Sequence, residues 1–129
     1  MHTLATRGVA IMLAFGLQAG AAWAEGAMTG QAAPDFSAAD TQGQARALAD
    51  FKGQFVVLEW FNPECPFVKK HYVSGNMQRL QQDATARGVT WLSIDSSAPD
   101  KQGYLTPEQA NEFMQVQGGA PSAVILDPD

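Results

Sequence analysis

The sequence predicts an α/β domain in which a central sheet carries helices on its faces. Three apolar runs rich in β-branched residues predict buried strands, at residues 55–61, 89–95 and 122–127. Two helical stretches separate these runs, and strands that alternate with helices indicate parallel pairing through right-handed crossovers. A chain of 129 residues accommodates one domain of this kind.

The first 24 residues have the pattern of a cleaved signal peptide. Arg7 precedes an apolar run, and the Ala-Trp-Ala sequence at residues 22–24 has the spacing of a cleavage site. The run is short for a membrane span, which needs about 20 apolar residues, so a cleaved signal is favoured over an anchor. We therefore expect a periplasmic or secreted protein with no stable membrane insertion after cleavage.

Net charge and cysteine content narrow the class of protein. Removal of residues 1–24 takes away Arg7 and no acidic residue, which changes the formal net charge from −5 to −6. An acidic domain without a basic stripe argues against nucleic acid as a partner. Export indicates an oxidising compartment, where structural disulfides are common. The single cysteine, Cys65, cannot form an internal disulfide, so its thiol needs another explanation.

The N-terminal part of the domain predicts a β-hairpin. Residues 25–32 form a leader that we expect to be flexible, and the folded domain spans residues 33–129. Residues 36–39 have a short edge-strand pattern, and Gly43 marks the turn that follows.

Start and stop signals delimit the helices. The first helix begins at Pro66, because proline is favoured at the first helical position, and it extends to about residue 86 with a break near Gly75. The second begins after Thr106, which forms a capping-box pattern with Gln109, and ends at Gly118. The first helix is expected to bury an apolar stripe: Phe67, Val68, Tyr72, Met77 and Leu80.

Cys65 lies between the end of the first buried strand and the start of the helix at Pro66. Catalytic groups of open α/β sheets gather beyond the carboxyl ends of the strands. Unpaired N–H groups and the helix dipole favour a thiolate at this position. Lys69, one turn along the helix, adds positive potential, whereas Glu64 opposes it. These observations predict a reactive thiol; the alternative is an inert, buried side chain.

The sequence predicts neither a metal site nor a cofactor. Cys65 and His71 are two candidate ligands without a third at a recognised spacing. Trp60 is expected in the core or at the border of a substrate cleft, and Asp95 is expected to be solvated.

Two segments resemble the redoxin family, which comprises the alkyl hydroperoxide reductase/thiol-specific antioxidant proteins and exported thioredoxin-like oxidoreductases. The segment APDFSAADTQGQARALADFKGQFVVLEWFNPECP is similar to the family's N-terminal half. The segment EQANEFMQVQGGAPSAVILDPD is similar to its later helix, strand and Asp-Pro-Asp turn. CPFVKKHY resembles a subgroup with a Cys-Pro-aromatic-Val sequence in the active-site loop.

The resemblance implies a thioredoxin-like fold with an N-terminal hairpin, and it implies that Cys65 is the attacking cysteine. The surrounding loop then supplies the supporting residues, namely Asn62, Pro63, Glu64, Pro66 and Lys69. Two positions depart from the family. Val68 occupies the place of the resolving cysteine of Cys-x-x-Cys oxidoreductases, and Asn62 occupies the place of the Thr or Ser of the peroxidases.

A single thiolate permits a limited redox cycle. It attacks a peroxide and becomes a sulfenic acid that an external thiol reduces, or it forms a mixed disulfide that another thiol resolves. We therefore expect an exported, peroxiredoxin-like oxidoreductase or antioxidant. Its substrates would be hydroperoxides or partner disulfides, and its reductant would be an external thiol or a thioredoxin-like protein. The alternative is a non-catalytic binding module of the same fold with an inert thiol.

The resemblance leaves two registers open for the cis-proline that thioredoxin-like folds place opposite the active-site cysteine. Pro121, which precedes the last predicted strand, is one candidate. In the other register the cis-proline comes one strand later. The sequence is then C-terminally incomplete and stops before the cis-proline, the last hairpin and the final helix.

Overall fold

A computed structural model describes residues 26–128. The predicted signal peptide at residues 1–24 lies outside the described residues. The contacts between residues separate the chain into two units, the first of which ends at Pro34. The described residues of the first unit contain a turn in which Gln31 N donates to Met28 O at 3.1 Å. Within residues 26–128 no helix is long and apolar enough to cross a membrane.

The unit that begins at Asp35 alternates strands and helices in the predicted order. A short 3₁₀ helix, Leu48–Phe51, follows the hairpin. The strands are β1 (Ser37–Ala39), β2 (Ala45–Ala47), β3 (Val56–Trp60), β4 (Thr90–Asp95) and β5 (Ala123–Leu126). The helices are α1 (Pro66–Val73), α2 (Asn76–Ala86) and α3 (Pro107–Gln117).

The central sheet is parallel, with the strand order β3-β4-β5. Strands β1 and β2 form the predicted antiparallel hairpin. This hairpin extends onto β5, because Asp40 bridges Ile125 in antiparallel fashion and Thr41 N donates to Val124 O at 2.9 Å. Strand β3 is therefore the edge strand of the sheet in the described part of the chain.

Asp40 stabilises the hairpin from a buried position. Its carboxylate accepts hydrogen bonds from Gln42 N, Gln44 N and Arg46 Nε, each at 2.9 Å. Burial alone raises the pKa of a carboxyl group, but these hydrogen bonds and the Arg46 charge outweigh burial and hold the pKa of Asp40 below its ordinary value of 3.8. The ionised form of Asp40 is thus the form that the folded hairpin favours.

Two apolar clusters cover the two faces of the sheet. The helical face buries Phe61, Tyr72, Ala110, Met114 and Val124. The opposite face buries Leu92, Ile94 and Ile125, against which Phe36 and Ala38 of the hairpin region pack. Full burial of one such side chain stabilises the fold by about 1.5–3 kcal/mol, so these clusters fix how helices and hairpin lie on the sheet.

The prediction that the first strand is buried on both faces is wrong. Phe55 is 84% exposed and Trp60 is 61% exposed, and Leu58 between them is also exposed. Leu58 and Trp60 pair with Leu92 and Ile94 and so lie on the sheet face that the hairpin covers at β4 and β5, but β3 lies at the edge beyond the hairpin. The apolar run therefore predicted the strand correctly, but it did not predict that the strand lies at the edge of the described sheet.

The helix boundaries agree with the predicted signals. Gly75 has φ +69° and separates α1 from α2, which confirms the predicted break. The capping box of α3 is also confirmed, because Gln109 N donates to Thr106 Oγ1 at 3.3 Å and Thr106 N donates to Gln109 Oε1 at 2.9 Å. The predicted apolar stripe is wrong for Phe67 and Leu80, which are exposed.

Candidate active site

Cys65 is the N-cap residue of α1 and lies five residues beyond the end of β3. Its side chain is partly exposed and makes no capping hydrogen bond with the helix. Two hydrogen bonds hold the backbone of Cys65 in place. Cys65 N donates to Asn62 O and Lys69 N donates to Cys65 O, both at 3.0 Å. Cys65 is thus partly exposed at the start of a helix, where a negative charge is favoured.

Asn62 holds the loop that carries Cys65. Its Oδ1 accepts a hydrogen bond from Glu64 N at 2.8 Å, and its Nδ2 donates to Gln102 O at 3.1 Å. The first contact closes a turn just before the cysteine, and the second ties this turn to the loop between β4 and α3. Asn62 therefore restrains the backbone on which Cys65 is carried, by binding the backbone of both loops.

Gly103 lies directly against the Asn62 side chain, a contact that sequence reasoning missed. Gly103 is buried and has φ +85°, and a Cβ atom at this position would overlap the amide group of Asn62. Only glycine combines this backbone conformation with this close approach at low cost. A Gly in a polar loop is a weak signal, and its partner becomes visible only in the fold.

The other predicted loop residues lie on the surface around Cys65. Glu64, Pro66 and Lys69 are exposed, and Pro63 is half-buried. Within residues 26–128 the one ion pair joins Arg46 to Asp40, so Glu64 and Lys69 form none there.

Exposed aromatic side chains flank the cysteine loop. Trp60, at the end of β3, donates from Nε1 to Ser96 Oγ at 3.2 Å, and Phe67 in the first turn of α1 is 75% exposed.

No group of three or more His, Cys, Asp or Glu side chains within residues 26–128 is arranged to hold a metal ion.

Of the two registers left open for the cis-proline, the structure does not support the one that uses Pro121. None of the peptide bonds in the described range is cis, so the bond before Pro121 is trans. Pro121 precedes the N-terminal end of β5, whereas Cys65 follows the C-terminal end of β3 in the same parallel sheet. The two residues therefore lie at opposite ends of the sheet. Pro121 instead lines a polar cavity of about 210 Å³ beside Asp40 and Asn111.

Beneath the helices, the carboxylate of Glu59 accepts four hydrogen bonds. Oε1 accepts from Tyr72 Oη at 3.0 Å. Oε2 accepts from Gln81 Nε2 at 3.0 Å, Trp91 Nε1 at 2.7 Å and Ser93 Oγ at 2.8 Å. We call these five residues the Glu59 network. It joins β3, β4, α1 and α2.

The four donors of the Glu59 network are buried, and Glu59 itself is half-buried. Tyr72 is 2% exposed, and Gln81 and Ser93 are fully buried. Burial, and next the negative charge of Glu59, raise the pKa of Tyr72 well above its ordinary value of 10.0. Its hydroxyl therefore remains a hydrogen-bond donor throughout the usable pH range. The one sequence signal was a lone acidic residue inside an apolar strand.

The parallel sheet, the N-terminal hairpin and the cysteine at the start of α1 together define a thioredoxin-like α/β protein. The sequence model of the AhpC/TSA family matches residues 29–129. The chain belongs to the AhpC/TSA family, as the resemblance to redoxins predicted. No curated protein matches the chain significantly.

Solved structures share this fold. An uncharacterized conserved protein from Geobacillus kaustophilus is 25% identical, with a TM-score of 0.62 over 74% of this chain and 50% of that chain. The thioredoxin domain of a thiol-disulfide oxidoreductase from Bacteroides vulgatus is 18% identical, with a TM-score of 0.57 over 78% of this chain and 64% of that chain. A secreted disulfide oxidoreductase from Mycobacterium tuberculosis is 22% identical, with a TM-score of 0.52 over 71% of this chain and 60% of that chain. The chain thus spans about half the length of the Geobacillus protein.

Proposed function

We propose that this protein is an exported thiol-dependent oxidoreductase that acts through Cys65 alone. The observation that carries the proposal is the position of the thiol, which is partly exposed at the N-cap of α1 in a loop fixed by Asn62. Membership of the AhpC/TSA family supports thiol redox chemistry in general. Cys65 is the only cysteine of the 129 residues given, so the cycle needs a second thiol from outside these residues.

Disulfide exchange is the leading reaction. The Cys65 thiolate attacks one sulfur of a partner disulfide, that S–S bond breaks, and the second partner sulfur leaves as a thiolate. The mixed disulfide is then attacked by an external thiol, which releases Cys65 as a thiolate and is itself oxidised. Val68 occupies the place of the resolving cysteine of Cys-x-x-Cys oxidoreductases and packs against the core, so the thiol that resolves the mixed disulfide lies outside the 129 residues given.

Hydroperoxide reduction is the second branch. The thiolate attacks the terminal peroxide oxygen, the O–O bond breaks, and an alcohol or water leaves while Cys65 becomes a sulfenic acid. Two external thiols then reduce the sulfenic acid, with release of water and formation of their disulfide. The Asn62 amide is already bonded to Glu64 N and Gln102 O, and it lacks a hydroxyl. This observation favours disulfide exchange over peroxide reduction.

The test compares the protein with free cysteine at the same pH. Stopped-flow rates are measured with oxidised glutathione and, separately, with hydrogen peroxide. We expect exchange with glutathione to be faster than for free cysteine, to add one glutathione per chain by mass spectrometry, and to vanish in Cys65→Ser. Rates no greater than those of free cysteine with both reagents would instead support a non-catalytic binding module with an inert thiol.

Export is proposed from the sequence of residues 1–24. N-terminal sequencing of protein recovered from the periplasm or medium should begin at Glu25. Recovery of the chain only from the cytoplasm with its first residues retained would contradict export and leave the thiol chemistry unaffected.

A further inference from the structure

We propose that Tyr72 is a positioning residue for Cys65, because its hydroxyl, held by Glu59, fixes α1 on the sheet and sets where α1 presents the thiol. The inference rests on the proposed function only for the chemical role of that thiol. It concerns the Glu59 network, none of whose members is among the predicted loop residues.

Helix α1 depends on tertiary contacts for its position. It has eight residues, and helices of this length are marginal in isolation. It is joined to β3 by the loop that contains Asn62, and it ends before Gly75, whose φ of +69° turns the chain into α2. Both ends of α1 therefore adjoin non-helical backbone, and the helix orientation is set by what its buried face contacts.

Tyr72 is the one buried residue of α1. Its ring packs edge-on against Phe113 of α3, with ring centroids 5.2 Å apart. Its hydroxyl donates to Glu59 Oε1 and accepts from Gln81 Nε2, both at 3.0 Å. By contrast Phe67 and Val73 of the same helix are exposed. Ring packing restrains α1 broadly, whereas the two hydrogen bonds define one orientation.

Glu59 is a fixed acceptor for this hydroxyl. Its Oε2 is held by Trp91 Nε1 and Ser93 Oγ, both of β4, at 2.7 and 2.8 Å. The carboxylate therefore cannot follow a displaced Tyr72 without losing bonds to β4. The position of β4 is in this way coupled to α1 through the carboxylate of Glu59, whose Oε2 accepts from β4 and whose Oε1 accepts from Tyr72.

Because Tyr72 and Cys65 lie at opposite ends of α1, a small change in the tilt of the helix at Tyr72 displaces the thiol of Cys65. Cys65 precedes Tyr72 by seven residues, or about 10 Å of helix at 1.5 Å per residue. A tilt of about 10° around the Tyr72 end would move the Cys65 end by about 2 Å. Misplacement by about 1 Å can slow a positioned reaction by about 100-fold, so loss of this restraint has a measurable effect.

The test compares Tyr72→Phe with Ser93→Ala. Each variant removes one hydroxyl donor from the Glu59 carboxylate, but Tyr72 belongs to α1 and Ser93 to β4. Three quantities are measured: the rate of exchange with oxidised glutathione, the rate of alkylation by iodoacetamide, and hydrogen exchange of the α1 amides. The urea midpoint of both variants shows whether their global stabilities are similar.

We expect Tyr72→Phe to slow glutathione exchange by about tenfold and to accelerate amide exchange in α1. Ser93→Ala should leave both within about twofold of the wild type, since Trp91 Nε1 and Gln81 Nε2 still hold Oε2 of Glu59 and the contact of Tyr72 with Oε1 is retained. Alkylation by the smaller iodoacetamide should change less than glutathione exchange in Tyr72→Phe, because a small probe needs less precise presentation of the thiol. A uniform structural weakening would alter both variants alike.

Equal effects of the two variants on α1 amide exchange and on glutathione exchange would overturn the positioning role. If the wild-type protein exchanges with glutathione no faster than free cysteine, the proposed function fails. The comparison of α1 amide exchange and alkylation between the two variants still decides the role of Tyr72 in that case.

Discussion

Replacement of Gly103 by alanine should lower the free energy of unfolding by more than the cost of placing a Cβ atom on a residue with positive φ. Gly103 has φ +85°, and a Cβ atom there would overlap the amide of Asn62. The side chain of Asn62 must then move and lose its bonds to Glu64 N and Gln102 O. The perturbation therefore reaches the loop of Cys65 through one displaced side chain.

The magnitude follows from two contributions. A left-handed conformation costs a residue with a Cβ about 1–2 kcal/mol. Loss of the two hydrogen bonds of Asn62 costs about 0.5–1.5 kcal/mol each. Gly103→Ala should therefore lower the free energy of unfolding by about 2–5 kcal/mol, of which about 1–3 kcal/mol comes from Asn62.

Gly53→Ala is the matched control. Gly53 has φ +81°, and a Cβ atom there would meet nothing within 4 Å, so this variant should lose only the conformational contribution of about 1–2 kcal/mol. Urea unfolding of both variants measures the difference. Alkylation of Cys65 should change in Gly103→Ala and remain at the wild-type rate in Gly53→Ala. If Gly103→Ala costs no more than Gly53→Ala, the close contact between Gly103 and Asn62 is refuted.

Three further substitutions test other contacts. Because the folded-state pKa of Asp40 is below 3.8, its contribution to stability is present at neutral pH and is lost as the pH falls through that folded-state value. Asp40→Asn should flatten this acid limb of the urea-midpoint profile, and an unchanged limb, or equal flattening by Asp35→Asn at an exposed position, would contradict the assignment. Thr106→Ala removes the α3 cap and should lower the free energy of unfolding in urea by about 1 kcal/mol; no loss would show that the cap is dispensable. Asp95 is 3% exposed, and its Oδ2 has no hydrogen-bond partner among residues 26–128. Asp95→Asn should raise the melting temperature because it removes a buried carboxylate, and a lower melting temperature would show that this carboxylate does not destabilise the fold.

Local signals predicted the order of elements. Pro66, Gly75 and Thr106 act within one or two turns of the chain, so their effects are readable without knowledge of the fold. The position of Cys65 at the start of α1 followed from the same kind of signal and is confirmed by the structure.

Contacts between distant segments account for the errors. The sequence of β3 could not show that it lies at the edge of the described sheet, and Trp60 was therefore expected to be less exposed than it is. Asp95 was expected to be solvated, but it is buried, because its strand β4 lies between β3 and β5 in the sheet. Glu59 was missed because its four donors come from three other elements.

The bridge between the hairpin and β5 has a consequence for the order in which the domain folds. The hairpin forms from local contacts, but its docking pairs Asp40 with Ile125 of β5 and bonds Thr41 to Asn111 of α3, the latter across a sequence separation of 70 residues. Contacts of such long separation form slowly, because the loop-closure entropy must be lost before they contribute. The hairpin is the first part of the sheet to be synthesised, and it can complete its pairing only after β5, the last strand described, has been made.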